Sequence, residues 1–199
     1  AVTRTMPSRV PLCEGCGYTP LFDALITAME AHGGRAAHIV VGETGCMVRG
    51  DLPPMELFDV KYGLGASLGM SLGIALNTRR QRVVCLVGDS AFFHSNLNAL
   101  PQIVQAGADM TVIILDNRVT GLTGGQSHPG TPRDERGMLR GEQDIVPILR
   151  AYGINPATVT PAEPEAMGQT LAEALGAAGP RFIVARVPCP RYGPWEEAG

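Results

Sequence analysis

Two apolar stretches of this chain each run into a polar residue, and this repeated pattern constrains the fold more than any other feature. Residues 82–87 lead into Asp89, and residues 110–115 lead into Asn117. Neither stretch alternates apolar with polar side chains, which is typical of strands covered on both faces of a parallel sheet. The residues between them have room for a helix, so the sequence predicts a right-handed β-α-β unit.

The rest of the chain continues the same alternation. It predicts an α/β fold: a single domain over residues 1–199 with a doubly wound, mainly parallel sheet, and an irregular tail from about residue 188. Residues 121–144, rich in glycine, proline and charge, predict a long loop. The predicted helices are residues 19–32, 95–105 and 163–178 with a glycine-rich helical segment within 60–76, and the predicted strands are residues 37–41, 82–87, 110–115 and 181–187.

Composition excludes several classes of protein. With 199 residues, 45% of them hydrophobic, the chain is long enough to bury a core. The net charge is -3 and there is no basic stripe, which argues against a nucleic-acid partner. No apolar run reaches the ~18 residues of a membrane span, and the first residues lack a signal-peptide layout, so a cytoplasmic location without membrane attachment is expected.

Hard oxygen ligands follow the two central strands. Asp89 and Asn117 would each offer a side-chain oxygen, and the backbone carbonyl of Val119 would add a third. Mg²⁺ prefers such ligands and lets substrate phosphates complete its shell, so the pattern predicts a metal-diphosphate site. A helix after Ser90 would aim free amides at the diphosphate. The alternative is that Asp89 caps a helix and Asn117 a turn.

Glycines recur at steps of four residues in the segment that follows. Gly65, Gly69 and Gly73 would share one helix face, at a cost in helix propensity of roughly 1 kcal/mol each. Such a face indicates that another backbone or a ligand lies close by. Tight packing of the helix on the sheet and direct contact with a cofactor explain it equally well.

The five cysteines suggest metal or redox chemistry. Cys13 and Cys16 form a CxxC pair, Cys46 lies in a glycine-rich strand-end loop and Cys189 follows the last strand, whereas Cys85 lies inside an apolar strand as a buried hydrophobe. In a reducing compartment disulfides are not expected. Four thiolates suit either a 4Fe-4S cluster or tetrahedral zinc, and spacing alone leaves both open. One close pair with two single ligands fits the cluster somewhat better.

Several independent motifs carry a family resemblance. Between about residues 13 and 131 the chain closely resembles the diphosphate-binding domain of thiamine-diphosphate-dependent 2-oxoacid:ferredoxin oxidoreductases, and it looks most like the indolepyruvate type. The motifs are LCEGCG at 12–17, GLGASLG at 63–69, GDSAFFHS at 88–95, DN at 116–117 and TGLTGGQSHPGT at 120–131.

The resemblance implies roles for particular residues. It assigns Mg²⁺ to Asp89, Asn117 and the Val119 carbonyl, and a 4Fe-4S cluster to Cys13, Cys16, Cys46 and Cys189, of which Cys189 aligns least well. The residues expected at the cofactor are Gly45, Cys46, Gly63, Gly65, Gly88, Asp89, Ser90, Asn117, Val119, Thr120, Gly121, Leu122 and Thr123.

Two further side chains are candidates for contact with diphosphate or substrate. His94 matches the indolepyruvate-like version of its motif, although a histidine packed under the loop is an equal alternative. Glu43, near Cys46, could act on substrate, but a capping or solvated carboxylate is the more frequent role for such a residue.

The resemblance also implies an activity. It implies oxidative decarboxylation of a 2-oxoacid to acyl-CoA and CO₂, with thiamine diphosphate, Mg²⁺ and a 4Fe-4S cluster as cofactors, coenzyme A as co-substrate and ferredoxin or another electron acceptor. In such enzymes a separate pyrimidine-binding domain supplies the activating glutamate, so a hetero-oligomer with pyrimidine-binding and gamma subunits is expected. The alternatives are a non-oxidative thiamine-diphosphate-dependent decarboxylase subunit and a zinc-stabilised binding module.

Overall fold

The computed structural model describes residues 11–78 and 80–193, and its centre is one parallel sheet. The strand order is β2-β1-β3-β4-β6-β5, and every pair is parallel. The predicted α/β fold with a doubly wound parallel sheet is therefore confirmed. The strands are β1 (His38–Glu43), β2 (Val60–Tyr62), β3 (Arg82–Gly88), β4 (Met110–Asp116), β5 (Ala157–Val159) and β6 (Arg181–Arg186).

Helices cover both faces of this sheet. They are α1 (Tyr18–Ala31), α2 (Ser67–Asn77), α3 (Asp89–His94), α4 (Leu100–Ala106), α5 (Ile145–Ala151) and α6 (Pro164–Gly176). One apolar core joins α1 and α6 to the sheet, and a second core joins α2, α4 and α5 to the opposite face. Strands β1, β3, β4 and β6 contribute alternate residues to the two cores, which is why β4 is buried at every position.

The strand order fixes where a ligand can bind. The chain leaves β1 to one side to form β2 and then returns to its other side to form β3. The connections after β1 and β3 therefore run to opposite sides and open a crevice outside their carboxyl ends, the usual ligand position in open α/β sheets.

The predicted helix over residues 95–105 is confirmed only in its second half. The chain forms α3 directly at Asp89, then a 3₁₀ turn (Asn96–Ala99), then α4. Ser95 leaves the helical region, with a φ of -157°, and Pro101 stands in the first turn of α4, where its missing N–H is tolerated. The side-chain amide of Asn96 donates to Glu43 and to the Ala91 carbonyl, which holds Asn96 in the 3₁₀ turn.

Other differences concern short elements and boundaries. Strand β1 runs on to Glu43 instead of ending at residue 41, and three elements (β2, β5 and α5) were not predicted, since three-residue strands carry no readable periodicity. The long loop is confirmed, because the described chain between β4 and α5 holds only isolated bridges. The predicted domain limits at 1 and 199, and the tail after residue 193, lie outside the described residues. Within those residues, every helix is too short or too polar to span a bilayer.

Candidate functional site

A cavity of about 50 Å³ lies at the carboxyl edge of the sheet, where the loops after β1, β3 and β4 meet. All the residues predicted at the cofactor line it except Gly63, Gly65 and Thr123. Its wall consists of Tyr18, Thr44, Gly45, Cys46, Met47, Leu64, Gly88, Asp89, Ser90, Ala91, Asn117, Val119, Thr120, Gly121 and Leu122.

A larger cavity, of about 550 Å³, lies at the opposite edge between α4 and α6. Apolar side chains such as Ile154 and Phe182 dominate it, and it contains none of the predicted ligands. We therefore assign the candidate site to the smaller cavity, where the polar groups converge.

Asp89 ties the ends of the two central strands together. It is the first residue of α3 and only 2% exposed. Its Oδ1 accepts the backbone N–H of Ser90 at 2.7 Å, and its Oδ2 accepts the backbone N–H of Asn117 at 3.0 Å. Since Gly88 is the N-cap of α3, the alternative in which Asp89 caps the helix is wrong.

The side-chain amide of Asn117 is fixed on both sides. Its Nδ2 donates to Tyr18 Oη at 3.0 Å, and its Oδ1 accepts the backbone N–H of Val119 at 3.0 Å. The turn expected as the alternative for Asn117 is thus present, and it leaves one Oδ1 lone pair free. Together with Asp89 and the Val119 carbonyl, this gives one carboxylate and two neutral oxygens, a set that fits Mg²⁺ when diphosphate supplies further ligands.

Two hydroxyl groups lie beside these oxygens. Thr120 Oγ1 donates to Ser90 Oγ at 2.9 Å, which joins the loops after β3 and β4 a second time. Helix α3 has only six residues, so its dipole contributes little. Hydroxyls and loop amides, more than the helix amides expected from the sequence, would therefore meet a diphosphate here.

His128 was not predicted as a site residue, although it lies in one of the resembling motifs. Its ring stacks on Phe93 with centroids 5.7 Å apart, and its side chain is only 4% exposed. Nδ1 accepts the backbone N–H of Gly130 at 3.1 Å, which leaves the hydrogen of the neutral ring on Nε2. Nε2 lies 3.2 Å from Asp89 Oδ2 without hydrogen-bond alignment, so the ring supports Asp89 by packing.

Asp116, just before Asn117, anchors the far end of the long loop. It pairs with Arg186, whose other guanidinium nitrogen lies 2.7 Å from Asp144, the N-cap of α5. Burial, helped by the Asp89 charge, raises the pKa of Asp116 to about 6. Arg186 thus links Asp116, at the end of β4, to Asp144, at the end of the long loop.

Glu43 is separate from the cavity and fully buried, so the expectation of a solvated carboxylate is wrong. Its Oε2 accepts the backbone N–H groups of Gly65 at 2.8 Å and Ser67 at 3.3 Å, and both oxygens accept from Asn96 Nδ2 at 3.1 Å. Burial raises the pKa of Glu43 despite these donors. The capping alternative describes it better, because it holds the start of α2.

The glycine-rich segment behaves differently at its two ends. Gly65 precedes α2, has a φ of +80°, and a methyl group there would lie 1.7 Å from Ser95 Oγ. Within α2, a methyl group at Gly69 or Gly73 would meet no described atom within 4 Å. The close neighbour that the glycines predicted is therefore found at Gly65, where it is Ser95. Among the described residues, none lies against Gly69 or Gly73. His94 is exposed beside Gly65, so it is not packed under the loop.

One predicted cluster ligand, Cys46, lines the cavity. A methyl group on Gly121 would lie 3.4 Å from Cys46 Sγ and 3.9 Å from Cys189 Sγ. Burial is the main cause that raises the pKa of Cys46 to about 11, while the Arg49 charge acts to lower it and the nearby thiols of Cys189, Cys16 and Cys13 act to raise it. Cys46 and Cys189 therefore lie beside the same glycine, with Cys13 and Cys16 in the same region.

Arg49 places a positive charge beside these thiols. Its Nη1 lies 3.8 Å from Cys13 Sγ and donates to the Pro11 carbonyl at 3.1 Å. Among the described residues, no three acidic, histidine or cysteine side chains are close enough to hold one metal ion. Both the tetrahedral zinc and the 4Fe-4S cluster considered from the sequence therefore stay predictions. Cys85 is fully buried, as predicted, and its pKa is raised to about 12.

Comparison with known families agrees with this geometry. The family described as thiamine pyrophosphate enzyme, C-terminal TPP binding domain, matches residues 43–185. The chain belongs to this family. It therefore carries a thiamine-diphosphate-binding domain, and the matched residues include Asp89, Asn117 and the cavity between them.

Curated relatives confirm the resemblance read from the motifs. This thiamine-diphosphate-binding domain is 34% identical to indolepyruvate oxidoreductase subunit IorA of Methanothermobacter thermautotrophicus, over 92% of this chain and 30% of that relative. It is 28% identical to 2-oxoglutarate synthase subunit KorB of Methanothermobacter marburgensis, over 90% of this chain and 66% of that relative. The chain thus spans less than a third of the indolepyruvate relative's length.

Solved structures share the fold. A 2-oxoglutarate:ferredoxin oxidoreductase from Magnetococcus marinus, with 2-oxoglutarate, coenzyme A and succinyl-CoA bound, superposes with a TM-score of 0.82 at 18% identity, over 98% of this chain and 72% of that chain. A putative thiamin diphosphate-dependent enzyme from Mycobacterium smegmatis gives 0.60 at 20% identity, over 85% and 32%. At these identities the similarity concerns the fold alone.

Proposed function

We propose that this chain is the thiamine-diphosphate- and Mg²⁺-binding, 4Fe-4S-carrying part of an oxidoreductase that decarboxylates a 2-oxoacid and transfers the acyl group to coenzyme A. One observation carries the proposal. The three hard oxygens of Asp89, Asn117 and Val119 and the Cys46 thiol line the same cavity, so a diphosphate-bound cofactor and an electron acceptor would be neighbours.

The residues at the strand ends would hold the cofactor. Asp89, Asn117 and the Val119 carbonyl would bind Mg²⁺, and the hydroxyls of Ser90 and Thr120 would contact the diphosphate. Thiamine diphosphate, when bound, supplies the electron-sink chemistry of decarboxylation. The protein's contribution is to orient the cofactor and exclude water.

The thiols of Cys13, Cys16, Cys46 and Cys189 would hold the cluster beside the cofactor. Because burial keeps the Cys46 thiol protonated in the absence of metal, cluster assembly would release protons. The Arg49 guanidinium would then offset part of the negative charge that the thiolates bring to the site.

The proposed reaction balances with coenzyme A and an electron acceptor as the two co-reactants. The bond between the 2-oxo carbon and the carboxylate breaks and releases CO₂. The acyl carbon joins the sulfur of coenzyme A, whose thiol proton leaves to solvent, and two electrons pass to ferredoxin or another acceptor. The relatives named for indolepyruvate and 2-oxoglutarate support a 2-oxoacid as the substrate class.

A pyrimidine-binding domain outside these residues would complete the active site. The cavity contains Asp89 as its only acidic side chain, and Asp89 is engaged at the metal-diphosphate end. The glutamate that activates the pyrimidine end of the cofactor would therefore come from elsewhere, in the same polypeptide or in a pyrimidine-binding or gamma subunit.

The proposal is tested on the intact protein, co-expressed with its neighbouring genes and purified anaerobically. We expect about four irons and four sulfides per chain, bound thiamine diphosphate, and reduction of a viologen dye that requires both a 2-oxoacid and coenzyme A. Pyruvate, 2-oxoglutarate and indolepyruvate would be compared as substrates.

Matched variants separate the two centres. Asp89→Ala should lose thiamine diphosphate and keep iron, whereas Cys46→Ala should lose iron and keep thiamine diphosphate; Cys85→Ala, outside both centres, is the cysteine control. Iron-free protein that releases CO₂ and aldehyde at full rate would indicate the non-oxidative decarboxylase instead. Bound zinc without thiamine diphosphate would indicate the binding module.

A further inference from the structure

Tyr18 links the segment of the paired cysteines to one ligand of the proposed metal site. It lies two residues after Cys16, and its hydroxyl accepts from Asn117 Nδ2 at 3.0 Å. Tyr18 is the first residue of α1, which begins directly after the paired cysteines. Tyr18 and Asn117 are 99 residues apart in the sequence. Their side chains nevertheless meet at the cavity wall.

The surroundings hold the Tyr18 ring in one place. The residue is 4% exposed, its ring packs against Phe22 with centroids 5.7 Å apart, and it lines the candidate cavity. The hydroxyl is therefore fixed where it accepts from Asn117 Nδ2.

The Val119 N–H sets which way the Asn117 amide points, and the Tyr18 hydroxyl holds it in that orientation. An asparagine amide has an oxygen and a nitrogen of nearly equal size, so its orientation depends on its partners. The Val119 N–H requires an acceptor, and Tyr18 Oη receives a donor. Both conditions place Oδ1 in the position from which it can bind a cation. Without the hydroxyl, one buried amide hydrogen would lose its partner.

We infer that Tyr18 is a positioning residue that holds Asn117 Oδ1 toward Mg²⁺ and so makes the metal-diphosphate site depend on the segment that carries the paired cysteines. The inference rests on the proposed Mg²⁺ and thiamine diphosphate site. It adds a residue that touches neither the reacting atoms nor the metal.

The test is Tyr18→Phe, which keeps the ring and its packing against Phe22 and removes only the hydroxyl. The control is Tyr62→Phe, the same change on a side chain that is 72% exposed. Mg²⁺ would be titrated calorimetrically into the intact, anaerobically purified protein at saturating thiamine diphosphate. We expect the Kd for Mg²⁺ to rise about fivefold in Tyr18→Phe, with iron per chain unchanged and activity restored by excess Mg²⁺.

Other outcomes overturn the inference in distinguishable ways. A lower Tm with an unchanged Kd would show that the hydroxyl only stabilises the fold. Loss of iron without a change in Kd would assign it to the cysteine segment. If the wild-type protein binds thiamine diphosphate without any Mg²⁺ dependence, the proposed metal site fails together with the inference.

Discussion

The carboxylate of Asp89 accepts the backbone N–H of Asn117 at 3.0 Å, across 28 residues of sequence. Strands β3 and β4 pair in register as far as Gly88 and Leu115. The bond between Asp89 and Asn117 adds one more link between the two chain segments just beyond that point. Both proposed side-chain ligands of Mg²⁺ are therefore fixed by the sheet before any ligand arrives, which lowers the ordering cost of binding.

Asp89→Asn should weaken Mg²⁺ binding at least about tenfold and lower the free energy of unfolding by about 1–3 kcal/mol. The asparagine side chain has the same shape as the aspartate, but one of its two acceptor oxygens is replaced by an NH₂ donor. That donor would face the backbone N–H of Ser90 or of Asn117. Calorimetric titration and urea unfolding measure the two effects, with Asp23→Asn on the exposed face of α1 as control. Lower stability at unchanged Mg²⁺ affinity would make Asp89 a purely structural residue.

Glu43→Gln should destabilise the protein by about 1–2 kcal/mol, because an amide would present a donor to Gly65, Ser67 or Asn96. The effect should depend on pH. Burial raises the folded-state pKa of Glu43 above its ordinary 4.5, so the folded protein holds this proton more tightly than the unfolded chain does, and the stability gained from it is lost as the pH rises.

The stability difference between wild type and Glu43→Gln should thus be largest at or below pH 4.5 and narrow as the pH rises. Urea unfolding from acid to neutral pH measures this, and Glu173→Gln on the exposed surface of α6 serves as control. A difference that widens with pH would mean that the ionised carboxylate is the favoured form in the fold.

Gly65→Ala should be strongly destabilising, whereas Gly69→Ala should be tolerated. At Gly65 the backbone has a φ of +80° and the added methyl group would overlap Ser95 Oγ, while at Gly69 the described surroundings are open and alanine favours the helix by up to about 1 kcal/mol. Thermal unfolding compares the pair. Equal Tm values for the two variants would contradict the geometry around Gly65.

Cys85 should resist alkylation in the native, metal-free protein while Cys46 reacts. Cys85 is fully buried with its pKa raised to about 12, whereas Cys46 is partly exposed with its pKa raised to about 11, and the thiolate is the reactive form. Iodoacetamide labelling followed by mass spectrometry gives the two rates. Labelling of Cys85 as fast as Cys46 would show that the core opens.

The sequence predicted the strand ends well because their signal is local. Asp89 and Asn117 each follow an apolar strand directly, and parallel strands bring such ends to one edge. Cys46 was placed correctly in a loop at that edge, whereas the four-cysteine ligand set stays a prediction. The family resemblance then linked the two groups to one cofactor.

The parts that sequence reasoning missed depend on contacts between distant residues. The sequence did not separate a capping role from a solvated one for Glu43, because its donors lie 22 to 53 residues away. The same bonds draw Asn96 out of the helix predicted there. Tyr18 contacts Asn117, and His128 contacts Asp89, only because the fold brings distant loops together. The periodicity of the sequence does not predict such contacts.

The parallel sheet has a consequence for how the site comes into existence. Strand β1 pairs with β3, and β4 with β6, although in each case another segment of the chain lies between the partners. Pairings of such high contact order form late and slowly. The cavity needs the ends of β1, β3 and β4 together, so a nascent or partly folded chain has no cofactor site, and cofactor capture must follow nearly complete folding.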